Sequence, residues 1–321
     1  MAERTPSFSR LLVHLNTTAA TQPAFRRALT LAKAARASIR LVDVLPPLPA
    51  PGGQTPPFAR LLREKMLDHL AEAVAETRRW DIPCTSTLLD GDEATALIQA
   101  AVTWPADVLM RSHGVHGAAA IPAGPVDSQV LRRCPCPVWL VTPRSAEGER
   151  VVVAAVDPEP QNAPRHDLSV RVARTAMQLA AASGATLHLV HAWTAFGHQI
   201  LASRASKKDL LAHYAACRDH ASARFDALCR DAGVPATAKR HLLEGVNDKV
   251  LTTFVTVKRA SVLVMGTVGR TGLAGLVVGN TAERVLRQVR CSIVALKPTG
   301  FADATPEGAP VKTRARSSRD R

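Results

Sequence analysis

Aromatic residues are scarce in this chain, at 4% of 321 residues. They are too few to build the stacking platforms on which single-stranded nucleic acids lie. No apolar run approaches the ~18 residues that a membrane-spanning helix needs. Met1–Arg10 holds no apolar signal region ending in small residues and leads straight into a strand-like run, so the expected location is cytoplasmic. The six cysteines lack the spacing of a disulfide framework, in keeping with a reducing compartment.

What is present is a globular composition, 46% hydrophobic and 21% charged, with a formal net charge of +14. Part of that charge is the stretch Lys312–Arg321, with five basic residues and one Asp. Such an excess favours acidic ligands or weak, salt-sensitive contact with polyanions, and it gives no ground for specific nucleic-acid binding. From Gly300 the chain has no apolar periodicity, so a disordered basic tail is expected over 300–321.

The hydrophobic pattern alternates short β-branched runs with helix-periodic segments. Strands are expected at Leu11–Asn16, Ser38–Leu45, Thr85–Leu89, Val108–Arg111 and Val138–Val141. The order then repeats at Val151–Val156, Thr186–Ala192, Ala238–Leu243, Val262–Met265 and Ser292–Leu296, with helical segments between. Strands and helices in alternation make βαβ units, hence α/β parallel sheets covered on both faces. The length suits two domains. We place them at 8–143 and 151–299, joined by a linker at 144–150.

The halves are an internal repeat. Gly124, Leu131, Cys136 and Pro143 fall on Gly279, Leu286, Cys291 and Pro298 at one offset. Asp90-Gly91 answers Glu244-Gly245, and Asn16 stands where Asp157 stands.

The stretch most informative about chemistry runs from Val262 to Glu283. A buried-type strand stops at Gly266, a loop continues through Gly269 and Arg270, and Gly279-Asn280-Thr281 opens a helix. Asn280 and Glu283 have the spacing of a capping box. Strand, glycine-rich loop, helix N-terminus is an order that suits an anion: glycines allow close backbone approach, and the first helical N–H groups are unpaired at the positive end of the dipole. The spacing G-x2-G-x9-G-N is neither the dinucleotide fingerprint nor a Walker A loop.

It resembles the ATP-binding signature of the universal stress protein family, and looks most like the second half of the tandem, E-type members. The resemblance covers nearly all of both halves. It implies two tandem, doubly wound, five-stranded Rossmann-like sheets forming an intramolecular pseudo-dimer, with a homodimer of chains left open. It further implies ATP, or another adenine nucleotide, as cofactor of the second half only. Asp157 would contact the adenosine part and Ala192 the base. Gly266, Gly269, Gly279, Asn280 and Thr281 would hold the triphosphate, Met265 would be a further cofactor contact, and Arg270 would add charge, although a solvated loop cation is the plainer reading of that residue.

The first half departs from this pattern. Ser112 stands for the first glycine, Val115 stands near the second, Pro125 comes directly after Gly124, and Asn16 replaces the Asp. Proline has no N–H to offer a phosphate, so a degenerate site is expected.

Other constellations have bland readings. Cys134-Pro-Cys136 could suggest a metal or redox pair, but no second cysteine pair or close histidine completes a site, and small buried residues leading into a strand are the plainer reading. His213, Cys217 and His220 share one helix face, most simply a polar one. His113 and His116 have no acidic residue nearby in the sequence, and no carboxylate pair stands in a site-like setting. No catalytic residue and no metal ligand is therefore assigned, and the chain is expected not to be an enzyme. An adenylating enzyme of related fold would need an S-G-G-x-[D/S]-S loop after the first strand, where Asn16-Thr17-Thr18 and Asp157-Pro158-Glu159 stand instead. The expected function is a stress-response protein that binds adenine nucleotide in a regulatory or protective role. The alternative is a tandem carrier whose degenerate half takes an apolar or lipid ligand or a protein partner.

Overall fold

The computed structural model describes residues 8–47, 57–114, 124–145, 149–195, 197, 206–267 and 279–298. The loop residues Gly269 and Arg270, the whole 300–321 tail and His116 lie outside them. The elements fall into two compact units.

The first unit runs β1 (Arg10–His14), α1 (Pro23–Ala35), β2 (Ser38–Leu45), α2 (Pro57–Arg79), β3 (Cys84–Asp90), α3 (Glu93–Thr103), β4 (Val108–Ser112), α4 (Pro125–Arg133) and β5 (Val138–Val141). Its strands lie in the order β3-β2-β1-β4-β5, every pair parallel. The second unit repeats this with β6 (Val151–Ala155), α5 (Ala163–Ser183), β7 (Thr186–Trp193), α6 (Lys207–Ala232), β8 (Lys239–Glu244), α7 (Asn247–Val257), β9 (Val262–Gly266), α8 (Asn280–Gln288) and β10 (Ser292–Leu296). Its order is β8-β7-β6-β9-β10, again parallel. The doubly wound α/β class expected from the alternation is what the chain adopts.

Burial explains why these segments are strands. Val108, Leu109 and Met110 of β4 and Leu11, Leu12 and Val13 of β1 are fully inaccessible. A central parallel strand has helices on both faces, so it needs apolar residues at every position rather than at alternate ones. Trp139, also fully inaccessible, anchors the first core, with the Arg27 guanidinium 5.3 Å from its ring centre.

The third strand of each unit ends in the same device. Gly91 (φ 123°) donates to the Leu45 carbonyl at 3.1 Å, and Gly245 (φ 129°) to the Trp193 carbonyl at 2.9 Å. Only glycine enters that region of backbone space without strain. At Gly245 an added Cβ would in addition sit 2.6 Å from Val250 Cγ1. These turns launch α3 and α7 from the carboxyl edge of each sheet.

Candidate functional site

In each unit the strand order reverses beside the first strand, between β1 and β4 and between β6 and β9. The crevice outside the carboxyl ends at such a reversal is where open α/β sheets bind ligands.

In the second unit, Ala155 of β6 is level with Met265 of β9 and with Val190 of β7. Asp157, Gly266 and Ala192 therefore lie at the ends of three neighbouring strands, on one edge. Asp157 is held by its backbone: its N–H donates to Ser169 Oγ at 3.2 Å, and that hydroxyl donates to the Asp157 carbonyl at 2.9 Å. Thr267 donates its N–H to the Leu296 carbonyl at 2.9 Å, and its own carbonyl accepts the Gly279 N–H at 2.7 Å. The helix start is thereby pinned to the strand end, so both ends of the glycine-rich stretch are fixed on the reversal point.

Two details differ from expectation. Gly279, not Asn280, is the N-cap of α8, with φ −59° and ψ 143°. Its carbonyl accepts the Glu283 N–H at 3.0 Å, so the helix begins one residue early. The Glu283 carboxylate pairs with Arg287 at 2.8 Å. Gly266, for its part, has a packing role: a Cβ there would lie 2.8 Å from Leu168 Cδ2 of α5. Met265 is only 5% exposed. Asn280 and Thr281 occupy the first turn of α8, and their side chains are not among the described groups.

The first unit has the same skeleton and different chemistry. Gly124 is the N-cap of α4 and accepts the Ser128 N–H at 2.9 Å, as Gly279 does for Glu283. Pro125 occupies the first helical position. Asn16 closes a local turn, its Oδ1 accepting from the Thr18 N–H at 3.0 Å and the Thr18 hydroxyl at 2.6 Å.

Behind this edge lies a buried polar network that the sequence did not reveal. Arg111 at the end of β4 donates Nε to Asp127 Oδ1 at 2.6 Å and Nη1 to Glu93. It also approaches His14 Nδ1 at 2.8 Å. A guanidinium cannot accept, so His14 takes that bond on an unprotonated Nδ1 and carries its proton on Nε2. That Nε2 faces Glu93 at 3.6 Å and Asp43 at 3.7 Å. The Thr17 hydroxyl donates to Asp43 Oδ2 at 2.6 Å and receives His69 Nδ1 at 2.9 Å. His113, which has no acidic residue nearby in the sequence, meets Asp127 Oδ2, 14 positions on, at 2.9 Å. Carboxylates do share a setting here, contrary to expectation, since Asp43, Glu93 and Asp127 all belong to one network.

Burial alone would raise Asp127 and Asp43. His113 and Arg111 outweigh it at Asp127, and His14 and Thr17 do so at Asp43, so both carboxyls titrate below the ordinary range. Burial would lower Arg111, but Asp127 and Glu93 hold it more firmly protonated than usual.

Strand register and the repeat offset place Ala155, His191, Asn247, Met265 and Ala282 where His14, Asp43, Glu93, Arg111 and Asp127 stand. Except for His191, which faces the Val156 carbonyl at 3.2 Å, those counterparts cannot ionise. Bonded partners within the network lie up to 97 positions apart in the chain, which is why no local motif announced them. The detectable signal was Arg111 and Asp127 interrupting the apolar pattern that the second half keeps.

In the second unit, His188 Nδ1 and His241 Nε2 lie 2.9 Å apart with their rings stacked at 5.0 Å. Burial, with His241, Lys239 and Lys258 adding repulsion, lowers His188 to about 4. His213 Nε2 and Cys217 Sγ lie 3.6 Å apart on α6. Among the described residues no group of three or more His, Cys, Asp or Glu side chains is arranged to hold a metal ion. No helix among them is long and apolar enough to cross a membrane.

A model of the Universal stress protein family matches residues 7–142 and again 150–297. Universal stress protein E of Photorhabdus laumondii is 29% identical over 212 residues, 64% of this chain and 66% of its own length. The Escherichia coli protein of the same name is 29% identical over 211 residues, 64% of this chain and 65% of its own. The match thus spans just under two thirds of these relatives. Among solved structures, a putative universal stress protein from Pseudomonas aeruginosa superposes with a TM-score of 0.69 at 20% identity, covering 92% of this chain and 96% of that one. At that identity the likeness speaks for the fold.

Proposed function

The chain belongs to the universal stress protein family, with two tandem family domains and a stress-response role, and from that premise we propose that its second domain alone binds ATP or another adenine nucleotide. The observation that carries this reading is the 2.7 Å bond from the Gly279 N–H to the Thr267 carbonyl. It sets the positive end of α8 against the strand end at the reversal point, where a phosphate chain gains from unpaired N–H groups. Asp157 and Ala192, on the neighbouring strand ends, are proposed for the nucleoside part. Gly266, Gly269, Arg270, Gly279, Asn280 and Thr281 are proposed for the phosphates, and Met265 contributes through its backbone.

The first domain is proposed to have given up this ligand. Pro125 removes an N–H where α4 would meet a phosphate, and three carboxylates lie beneath the same edge. Counting Arg111 as its fixed cation, the network is net negative when its histidines are neutral, which repels a phosphate. The same charge makes this edge a poor place for an apolar or lipid ligand, which weakens the carrier reading.

The role is regulatory or protective rather than catalytic, and cytoplasmic. The two domains are proposed to pair through their fifth strands, as the family resemblance implies. Halves that remain separate monomers when expressed alone and mixed would defeat the pairing. Calorimetric titration of the full chain with Mg-ATP, beside a steady-state phosphate-release assay, tests the main reading. One site per chain with little release is expected. Absence of binding, or sustained turnover, would overturn it.

A further inference from the structure

The six cysteines include one pair whose sulfurs touch. Cys134 Sγ and Cys136 Sγ lie 3.5 Å apart, both reduced. The pair bridges the end of α4 and the start of β5. Cys134 is the C-cap of α4, its N–H bonded to the Val130 carbonyl at 2.9 Å, with extended dihedrals of −61° and 129°. Pro135 fixes the next φ, so little freedom remains to carry the thiols apart.

We propose that Cys134 and Cys136 form a redox-active dithiol that closes to an intramolecular disulfide when a hydroperoxide oxidises the chain. The two thiols differ as such a pair requires. Cys134 is fully inaccessible, whereas Cys136 is partly exposed and can meet a small oxidant. Arg132 and Arg133, in the last turn of α4, add positive charge close in sequence to the pair. The Cys136 thiolate attacks the peroxide O–O bond and becomes a sulfenic acid, and the alcohol, or water from hydrogen peroxide, departs with the proton. The Cys134 thiol then attacks the sulfenic sulfur, an S–S bond forms and water leaves. In sum, two thiols lose two hydrogens and one hydroperoxide is reduced.

Bond formation needs the sulfurs to close by about 1.5 Å, within reach of side-chain rotation. The resulting ring contains a single intervening residue, and strained disulfides of this kind are the readily reduced ones, so the bond is reversible by a thiol pool. The second domain supplies an internal control. At the positions of Cys134 and Cys136 it has Val289 and Cys291, the latter buried, so the same fold there carries a valine in place of the resolving thiol. Cys84 and Cys229, whose thiols burial pushes up, are further unreactive references.

The test uses the full chain, fully reduced and then treated with hydrogen peroxide, blocked with N-ethylmaleimide and digested with trypsin. Cleavage after Arg133 and Arg144 yields a peptide holding both thiols and no other cysteine. The expected product is that peptide lighter by two hydrogens and carrying no maleimide, with two maleimides gained after reduction by dithiothreitol. The Cys291 peptide should stay maleimide-labelled. Cys134→Ser should divert Cys136 to sulfinic acid, and Cys136→Ser should leave Cys134 a thiol. A wild-type peptide that keeps two maleimides, links to another cysteine, or goes directly to sulfinic acid would overturn the proposal, whatever the variants do.

Discussion

Arg111 donates through Nε to Asp127 at 2.6 Å, and the second domain has Met265 and Ala282 at the same two positions. One fold has thus been filled in two ways. In the second domain the counterparts of the network, Ala155, His191, Asn247, Met265 and Ala282, include no carboxylate and no guanidinium. In the first, a guanidinium is wedged between two carboxylates, and its side chain is only 13% exposed.

This arrangement predicts a non-additive cycle. Arg111→Met alone leaves Asp127 and Glu93 without their shared cation, at a cost of roughly 3–5 kcal/mol. Adding Asp127→Ala and Glu93→Asn installs the second domain's residues and removes the stranded charges. Urea denaturation should find the triple variant more stable than Arg111→Met. Equal or lower stability for the triple variant would mean that the network's pairing is not what Arg111 supplies.

Acid should unfold the chain in two stages. His188 is held to about 4 while the unfolded side chain titrates near the ordinary 6.5, so between these values the unfolded state takes up a proton that the folded state refuses. Its contribution is complete above the upper value and is lost as pH falls toward the lower, by roughly 2–4 kcal/mol in all. Asp43 and Asp127 are lowered from 3.8, so their contribution persists above that value and disappears only below it. His188→Leu should flatten the urea midpoint between pH 7 and pH 4.5, conditions chosen to span the window in which His188 titrates. An unchanged slope in that variant would reassign the first stage.

Much of the fold was legible in the sequence because parallel strands buried on both faces are continuous apolar runs. Ser38–Leu45, Val138–Val141 and Ser292–Leu296 match their expected bounds. Other ends moved by a residue or a few, as with β1, which stops at His14 rather than Asn16 because Asn16 is drawn into its own turn. The second-domain motif was visible since its residues are local in the chain. The first-domain network was not, since His14, Asp43, Glu93, Arg111 and Asp127 come from five elements and meet only through strand register. The helix cap falls at Gly279, one residue before the expected Asn280. An Asn beside a Gly is the stronger cap signal, whereas the bond to Thr267 decides which residue stays extended.

Gly266 makes the packing role testable apart from the ligand. A glycine at this place in the motif lets a phosphate approach, yet here a Cβ would also press on Leu168. Gly266→Ala should cost about 1–2 kcal/mol through overpacking. Combined with Leu168→Ala, the loss should fall short of the sum of the single effects, a coupling of about 0.5 kcal/mol or more. Strict additivity would show that Leu168 yields without cost and that the glycine is kept for another reason.

The number of nucleotides bound per chain separates the two domains. The helix starts at Gly124 and Gly279 have the same backbone plan, each cap accepting an N–H from the residue four positions on. They differ at the next residue: Pro125 has no N–H, whereas Asn280 offers one. Gly279→Asp would place a carboxylate where phosphate oxygens are proposed to lie, so it should abolish binding of Mg-ATP through charge repulsion and loss of space. Gly124→Asp makes the same change where no phosphate is expected and where an added Cβ meets open space. As Asp is a good N-cap, this variant should fold at least as well as the parent and still bind one equivalent. Calorimetry on the three proteins, with thermal melts to confirm that each is folded, decides between the domains. Two equivalents bound by the parent, binding that survives Gly279→Asp, or binding lost in a folded Gly124→Asp variant would each contradict the assignment of the nucleotide to the second domain.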